Sequence, residues 1–355
     1  RRQFGAARQT LSQCLKLNPS NSDAHLVLAQ ISLHEENFGA AQQALEQAVA
    51  HNFEVRDNPL YHILKAKVLE ATGDIGGAER MLENAINLPG VRRSGAPGNR
   101  AAPNGRGIDN VSLHDRVTIF LSLASVKCRF GDAKLGDAAK ILADAMRIFS
   151  GTKEEVRVIV ATSKLYVRRG DVKRAIRLLD ALERKEDIGA PAYTKALMEK
   201  ASILLEHRRD YDGYTQCYAQ LVQRNQSPHS YVLLGEAYMH IQQPDAAIEA
   251  FEEALRLTPN DSSLTSRIGK ALVSTHDYHR AIEYYESALK SSTRSRAGGA
   301  PMSQLRFDLA TLYFRLGNFD DAIATVEAAL ELNAGQGGRE HTEVEHDGTT
   351  AVHIE

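Results

Sequence analysis

Tryptophan is absent from this 355-residue chain, and cysteine occurs three times, at Cys14, Cys128 and Cys217. The three thiols stand far apart and form no CxxC or Cys/His pattern, so neither a zinc site nor a disulfide framework is suggested. Free thiols fit a reducing compartment. An excess of one charge sign is missing too: 43 basic side chains face 45 acidic ones, for a net charge of −2. That balance exerts no global pull on nucleic acid or on an anionic membrane. No apolar run approaches the ~18 residues a membrane helix needs, so the chain is expected not to insert in a membrane. An initial Met is lacking as well. The chain opens on "RRQFGAARQTLSQ", inside a helical pattern, and reads as a piece of something longer.

What the sequence does hold is a 43% apolar share, enough for a continuous core, and a repeat. The stretch "SYVLLGEAYMHIQQPDAAIEAFEEALRLTPN", residues 230–260, shows it best. Counting from Pro228 as position 1, Tyr231 falls at position 4, Leu234 at 7, Gly235 at 8 and Tyr238 at 11. Ala247 then falls at position 20, Phe251 at 24, Ala254 at 27 and Pro259 at 32. This is the 34-residue tetratricopeptide pattern, with Tyr in place of Trp at the first signature position. The first four positions share one face of a first helix, and positions 20, 24 and 27 share one face of a second. Gly235, Ala247 and Ala254 carry little side chain, so the two helices can approach closely. Pro259 cannot continue the second helix and punctuates it.

The pattern returns 34 residues later, in a unit from Ser262 with Gly269, Ala281, Tyr285 and Ala288 in register. It is also present 34 residues earlier, from Thr194, with Ala201, Leu204, Gly213 and Cys217. Weaker units start near Ser22, Pro59, Val117, Val156 and Ser303, and residues 4–17 read as an orphan second helix. The expected fold is therefore an all-α tetratricopeptide-repeat solenoid, a right-handed superhelix of about eight repeats plus a half repeat. Residues 1–89 would form its N-terminal part and residues 111–333 the main solenoid. Between them, residues 90–110 are rich in Gly, Pro and Arg and read as a disordered loop. Residues 334–355 abandon the helical period and read as a disordered tail.

Chemistry needs convergent groups on a scaffold, and none is visible. "IGKALVS" contains Gly269-Lys270, but Leu264 stands where a phosphate-binding loop needs its first glycine. "STHDYHR" offers His276, Asp277 and His279 without a third metal ligand nearby, at an inter-helix turn where polar residues are ordinary. His341, His346 and His353, among Glu343 and Glu345, read as solvated. Arg92, Arg93, Arg100 and Arg106 in the 90–110 stretch could dock an acidic partner or RNA, but such loops are usually solvated linkers. The expectation is no catalytic residue, no cofactor, no metal and no nucleic-acid partner.

What remains is the surface the repeats create, an extended face lined by positions 5, 9 and 12 of the first helices. Position 5 reads Leu26, Val160, Met198, Val232, Ser266 and Phe307, and position 12 reads Leu33, Val167, Leu205, Met239, Val273 and Phe314. Position 9 is mixed and includes Lys164, Glu236 and Lys270. The candidate partner groove is thus Lys164, Met198, Leu205, Val232, Glu236, Met239, Lys270, Phe307 and Phe314. No Lys/Asn cluster for a carboxylate-ended peptide is visible, and an apolar groove suits a helix or another solenoid. Equally, neighbouring units could bury these residues.

The segment "GTKEEVRVIVATSKLYVRRGDVKRAI" (151–176), the residues 230–290 and "EHRRDYDGYTQCY" (206–218) resemble the tetratricopeptide subunit of intraflagellar transport complex A. The residues outside the generic signature, "GKALVSTHDYHRAIEYYESALK", carry this resemblance. It implies a non-enzymatic scaffold and adaptor in the cytoplasm, at the cilium or flagellum and the basal body. There it would support retrograde transport and entry of membrane-protein cargo, with the other subunits of that complex and ciliary cargo adaptors as partners. The 90–110 stretch and the residues after 333 are not expected to share the resemblance. Two other readings stay open: a repeat scaffold of a ubiquitin-ligase or co-chaperone assembly, and the substrate-selecting arm of a glycosyltransferase.

Overall fold

The computed structural model describes residues 2–92, 111–184, 189–259, 261–294 and 300–340, and every regular element among them is helical. A single helix α1 (Arg2–Leu17) is followed by helix pairs: α2 (Ser22–His34) with α3 (Phe38–His51), and α4 (Pro59–Thr72) with α5 (Ile75–Ile86). Next come α6 (Leu113–Arg129) with α7 (Leu135–Ile148), and α8 (Glu155–Arg168) with α9 (Val172–Glu183). The pattern continues through α10 (Ala190–Ile203), α11 (Tyr211–Arg224), α12 (Pro228–His240), α13 (Pro244–Leu257), α14 (Ser262–Ser274), α15 (Tyr278–Arg294), α16 (Ala300–Arg315) and α17 (Phe319–Glu340). Two compact units divide the chain between Ile203 and Leu204, the first holding α1 to α10 and the second α11 to α17. Within each unit, successive helices pack on one another as a solenoid of tetratricopeptide-type pairs.

One turn chemistry recurs between the two helices of a pair. A residue in the left-handed region precedes the cap of the second helix: Glu36, Gly73, Gly170, Arg209, Gln242, His276 and Gly317. The N–H of the next residue then donates back to a carbonyl of the first helix, as in Asn37 to Ser32, Asp74 to Leu69, Asp171 to Tyr166 and Asp277 to Leu272. This αL closure satisfies the terminal carbonyls of the first helix. Asn37, Asp74 and Asp210 complete the turn by accepting from the backbone of Ala40, Gly77 and Gly213. His276 therefore has a turn role, and its Nδ1 lies 2.7 Å from the Tyr278 hydroxyl.

Small residues set the spacing of the helices. Ala41, Ala78, Ala138, Ala175, Ala247 and Ala281 occupy the same place on successive second helices, and all are wholly buried. Ala254 is wholly buried too, Ala288 is half-buried, and Pro259 lies exposed just past the end of α13. Across from them, Gly235 packs on the Phe251 ring and Gly269 on the Tyr285 ring, and a Cβ at either glycine would collide with those rings. Phe251 and Tyr285 are themselves 2% and 1% exposed, so neither ring has room to retreat.

Several local features depart from the sequence expectation. The 90–110 stretch begins as a turn fixed to the core: Val91 is buried with Val117 and Phe149, and its carbonyl accepts from Arg116 Nε at 3.0 Å. An apolar side chain and one carbonyl suffice to pin three residues that composition alone reads as loop. The rest of that stretch, with Arg93, Arg100 and Arg106, lies outside the described residues. The helical period ends near residue 333, yet α17 continues to Glu340. Propagating an established helix needs only one hydrogen bond per residue, so Gly335, Gly337 and Gly338 weaken it without stopping it. His341, His346 and His353 lie outside the described residues. Leu204–Arg208 form a π-helical turn, where the repeat pattern reads a regular helix end.

Two predictions follow from this packing. Gly269→Ala gains about 1 kcal/mol of helix propensity but forces a methyl into the Tyr285 ring. The collision should dominate, lowering stability by about 1–3 kcal/mol in urea titration. His62 is buried, and its Nε2 lies 2.7 Å from the Arg56 carbonyl. Burial holds its imidazole below the ordinary histidine range, partly opposed by the Arg56 and Met81 backbone and by Asp57. The unfolded chain therefore binds the proton first, so stability should fall as pH drops through about 6.5. The denaturation midpoint followed from pH 7.5 to 5 should show this loss, and His62→Gln should flatten it.

Candidate protein-binding face

The first helices of the pairs carry a regular set of ion pairs. Lys164 on α8 meets Glu199 on α10 at 3.2 Å, and Lys270 on α14 meets Asp308 on α16 at 3.3 Å. Glu236 on α12 pairs with Arg267 on α14. In repeat numbering all three join position 9 of one unit to position 6 of the next. Asp308 is filled further by the Ser266 hydroxyl at 2.6 Å and the Gln304 amide at 2.9 Å. Partly exposed pairs of this kind stabilise little, about 0.2–1 kcal/mol each, but they fix which side chains neighbouring helices present to one another. The lysine of the "IGKALVS" motif is thus a rung of this ladder, and its glycine is a packing residue.

The sequence-proposed groove residues therefore divide. Lys164, Glu236 and Lys270 are engaged between helices. Val232 and Met239 are half-buried against the core of the second unit, and Leu205 is half-buried. At position 5, Leu26, Val160 and Ser266 are buried by their neighbours. Met198, Phe307 and Phe314 are exposed, the two phenylalanines by 65% and 64%. Phe307 and Phe314 flank an apolar groove of about 380 Å³ between α16 and α17, completed by Ala310, Ala322, Ile323 and Val326. Glu199, Arg267 and Asp308 were missed by reading one repeat at a time. Comparing position 9 with position 6 of the following unit would have found them.

A second electrostatic feature lies in the first unit. Glu79 on α5 receives Lys127 of α6 at 2.7 Å and Lys134 of the following turn at 2.5 Å, and Lys127 also reaches Glu83 at 2.7 Å. Glu79 and Lys127 are each 8% exposed. Burial pushes the Glu79 carboxyl up, but the two lysines hold it net below the usual carboxylate range. Burial likewise opposes the charge on Lys127, and Glu79 and Glu83 hold its pKa net above the ordinary value. The cluster links α5 to α6, the helices on either side of the 90–110 stretch. Among the described residues no group of three or more His, Cys, Asp and Glu side chains converges as a metal site.

Helix pairs with small residues at the crossing points, closed by αL turns and stacked within each unit, define a scaffold-type tetratricopeptide-repeat protein. Generic repeat descriptions match residues 1–68 and 228–261. More specifically, the description "Tetratricopeptide repeat protein 21 ARM repeat" matches residues 53–221, and the fourth ARM domain of the same family matches residues 264–351. The chain belongs to the tetratricopeptide repeat protein 21 family. It is 39% identical over 325 residues to mouse tetratricopeptide repeat protein 21B, covering 92% of this chain and 23% of that protein. It is also 39% identical to mouse tetratricopeptide repeat protein 21A over 331 residues, 93% of this chain and 23% of that protein. The Caenorhabditis elegans homologue is 27% identical over 336 residues, 94% of this chain and 24% of that protein. The chain thus spans about a quarter of the length of the curated relatives it matches. The second family match extends past residue 333 to residue 351, correcting the expectation that the end of the chain departs from the family, and the first spans residues on both sides of the 90–110 stretch.

The buried cluster yields a measurable asymmetry. Lys127→Met leaves the Glu79 carboxylate desolvated beside Lys134 alone and should cost about 3 kcal/mol in chemical denaturation. Lys127→Met combined with Glu79→Met removes both charges and should recover most of that loss.

Proposed function

We propose that this chain is a scaffold and adaptor segment of an intraflagellar transport A complex, working through protein contacts without chemistry of its own. It would act in retrograde transport and in ciliary entry of membrane-protein cargo. Its partners are the other subunits of that complex and ciliary cargo adaptors, in the cytoplasm, the cilium or flagellum and the basal body. Membership of the tetratricopeptide repeat protein 21 family supports this reading, together with the resemblance of residues 151–176 and 230–290.

The single observation that carries the mechanism is how the first-helix face is spent. Lys164, Glu236 and Lys270 are used between neighbouring helices, while Met198, Phe307 and Phe314 stay open. Side chains that fix helix against helix make a spacer of defined geometry, and open apolar side chains give partners an anchor. Proteins of this design hold partners at set separations. No helix among the described residues is long and apolar enough to cross a membrane, so membrane cargo would be reached through adaptors.

Affinity purification of the tagged chain from ciliated cells tests the proposal. Recovery of the other transport-complex subunits is expected. Recovery of ubiquitin-ligase or chaperone subunits in their place would overturn it. Phe307→Asp with Phe314→Asp should reduce that recovery several-fold without changing the helical circular dichroism signal.

A further inference from the structure

The ladder on the first-helix face has one charge without a partner on the next first helix. Lys67 on α4 stands at position 9 of its unit, as Lys164, Glu236 and Lys270 do in theirs. Position 6 of the following unit, where they find Glu199, Arg267 and Asp308, is Ser122 on α6. Serine cannot neutralise an ammonium. Lys67 is exposed and makes no ion pair or hydrogen bond among the described residues. The acid on its own helix, Glu70, feels the Lys67 charge without forming an ion pair with it and is bonded instead by Arg129 at 3.3 Å.

Lys67 also lines a groove of about 320 Å³ formed by α2, the start of α3, α4 and α6 of the first unit. Leu33, Phe38 and Leu60 supply its apolar wall, and Gln30 and Thr118 its polar rim. Gln30 occupies position 9 of the preceding unit, where the following position 6 is the buried Leu64, so its amide is unengaged as well. The other ionisable groups at the rim have bonding partners of their own, though Asp115 keeps its negative charge. Asp115 accepts from the Ser112 hydroxyl at 2.6 Å, and His114 lies 3.0 Å from Arg157 and 3.5 Å from Glu154. His34 is stacked on Phe4. Lys67 is the cation of this rim that has no ion pair among the described residues, with an apolar wall beside it.

We infer that this groove binds a short protein segment carrying one acidic side chain next to an aliphatic or aromatic one. The carboxylate takes the empty rung opposite Lys67 and accepts from Gln30, and the apolar neighbour packs on Leu33, Phe38 and Leu60. The charge complementarity selects this occupant: an unpaired ammonium beside apolar surface is matched by a carboxylate on an apolar segment and by neither a basic nor a purely apolar one. The inference deepens the proposed scaffold role by naming the chemistry of one partner.

The test pans a phage-displayed random dodecapeptide library against the 355-residue chain and measures the selected peptides by fluorescence polarisation. Selected sequences should share Asp or Glu within three residues of Leu, Ile or Phe. Lys67→Glu should weaken their binding at least about tenfold, with Lys67→Arg retaining it. Ser122→Glu should do the same by supplying the missing rung within the chain. Lys164→Ala, in a rung elsewhere, should leave binding unchanged. All three positions are at least partly exposed, so melting temperatures should shift little and a folding defect is recognisable. Failure to select any binder, acid-free binders, or binders indifferent to both Lys67→Glu and Ser122→Glu would overturn the inference. Capture of transport subunits by the unaltered chain with failure of the peptides removes only this groove. Failure of that capture removes the transport role, and the peptide data still decide the groove.

Discussion

Close approach of paired helices is the constraint on which the rest of this structure depends. A helix backbone can come within side-chain reach of a large ring only where its own side chain is missing, and Gly235 and Gly269 supply that absence opposite Phe251 and Tyr285. The alanines of the second helices do the same with a single methyl. With the pair spacing fixed by these contacts, leucines and isoleucines elsewhere on the helices fall into the gaps between pairs. Leu264, Ile268, Leu305 and Leu309 in the second unit form one such layer, each nearly or fully buried. Repetition of a small residue at a fixed interval therefore does more than mark a family. It dictates where every neighbouring side chain goes.

That geometry explains why the fold was legible in the sequence and much of the binding face was not. Small residues, αL turns and helix-stopping prolines act within one unit, so a 34-residue window contains the whole argument for a helix pair. Lys164 and Glu199, or Lys270 and Asp308, belong to different units, and nothing within either unit announces the other. Position 5 failed as a guide for the same reason. Leu26 and Val160 occupy the same repeat position as Phe307, yet they are buried and it is open. The difference lies in what the adjacent helix presents. Composition misled at Val91, where one apolar residue in a Gly/Pro/Arg-rich stretch reaches a core that local reading cannot see.

The two electrostatic systems of the first-helix and second-helix sides have different physical weight. Ladder pairs such as Lys164–Glu199 sit near water, where attraction and desolvation nearly cancel. Their value is positional: each rung consumes a charge that would otherwise be open to a ligand. The Glu79–Lys127–Lys134 cluster is largely shielded from water, so each of its charges depends on the others. It is also oriented, because an ammonium with three donors can serve Glu79 and Glu83 together in one arrangement of α5 against α6.

That orientation bears on the segment between those helices. Elsewhere a second helix is joined to the next first helix by a few residues, as between α3 and α4 or between α11 and α12, and the short connection itself limits how the two can pack. Between α5 and α6 the connection is far longer, from Ile86 to Leu113, and a long connection restrains its ends only weakly. Apolar packing already favours one register, and a desolvated carboxylate adds to that preference, because each shift of register would strand it without its lysines. Glu79 and Lys127 are the only buried Glu or Lys pair among the described residues, and they span this junction. The junction with the long connection is thus also the one that carries the buried ion cluster, a device that penalises every register of α5 against α6 but one.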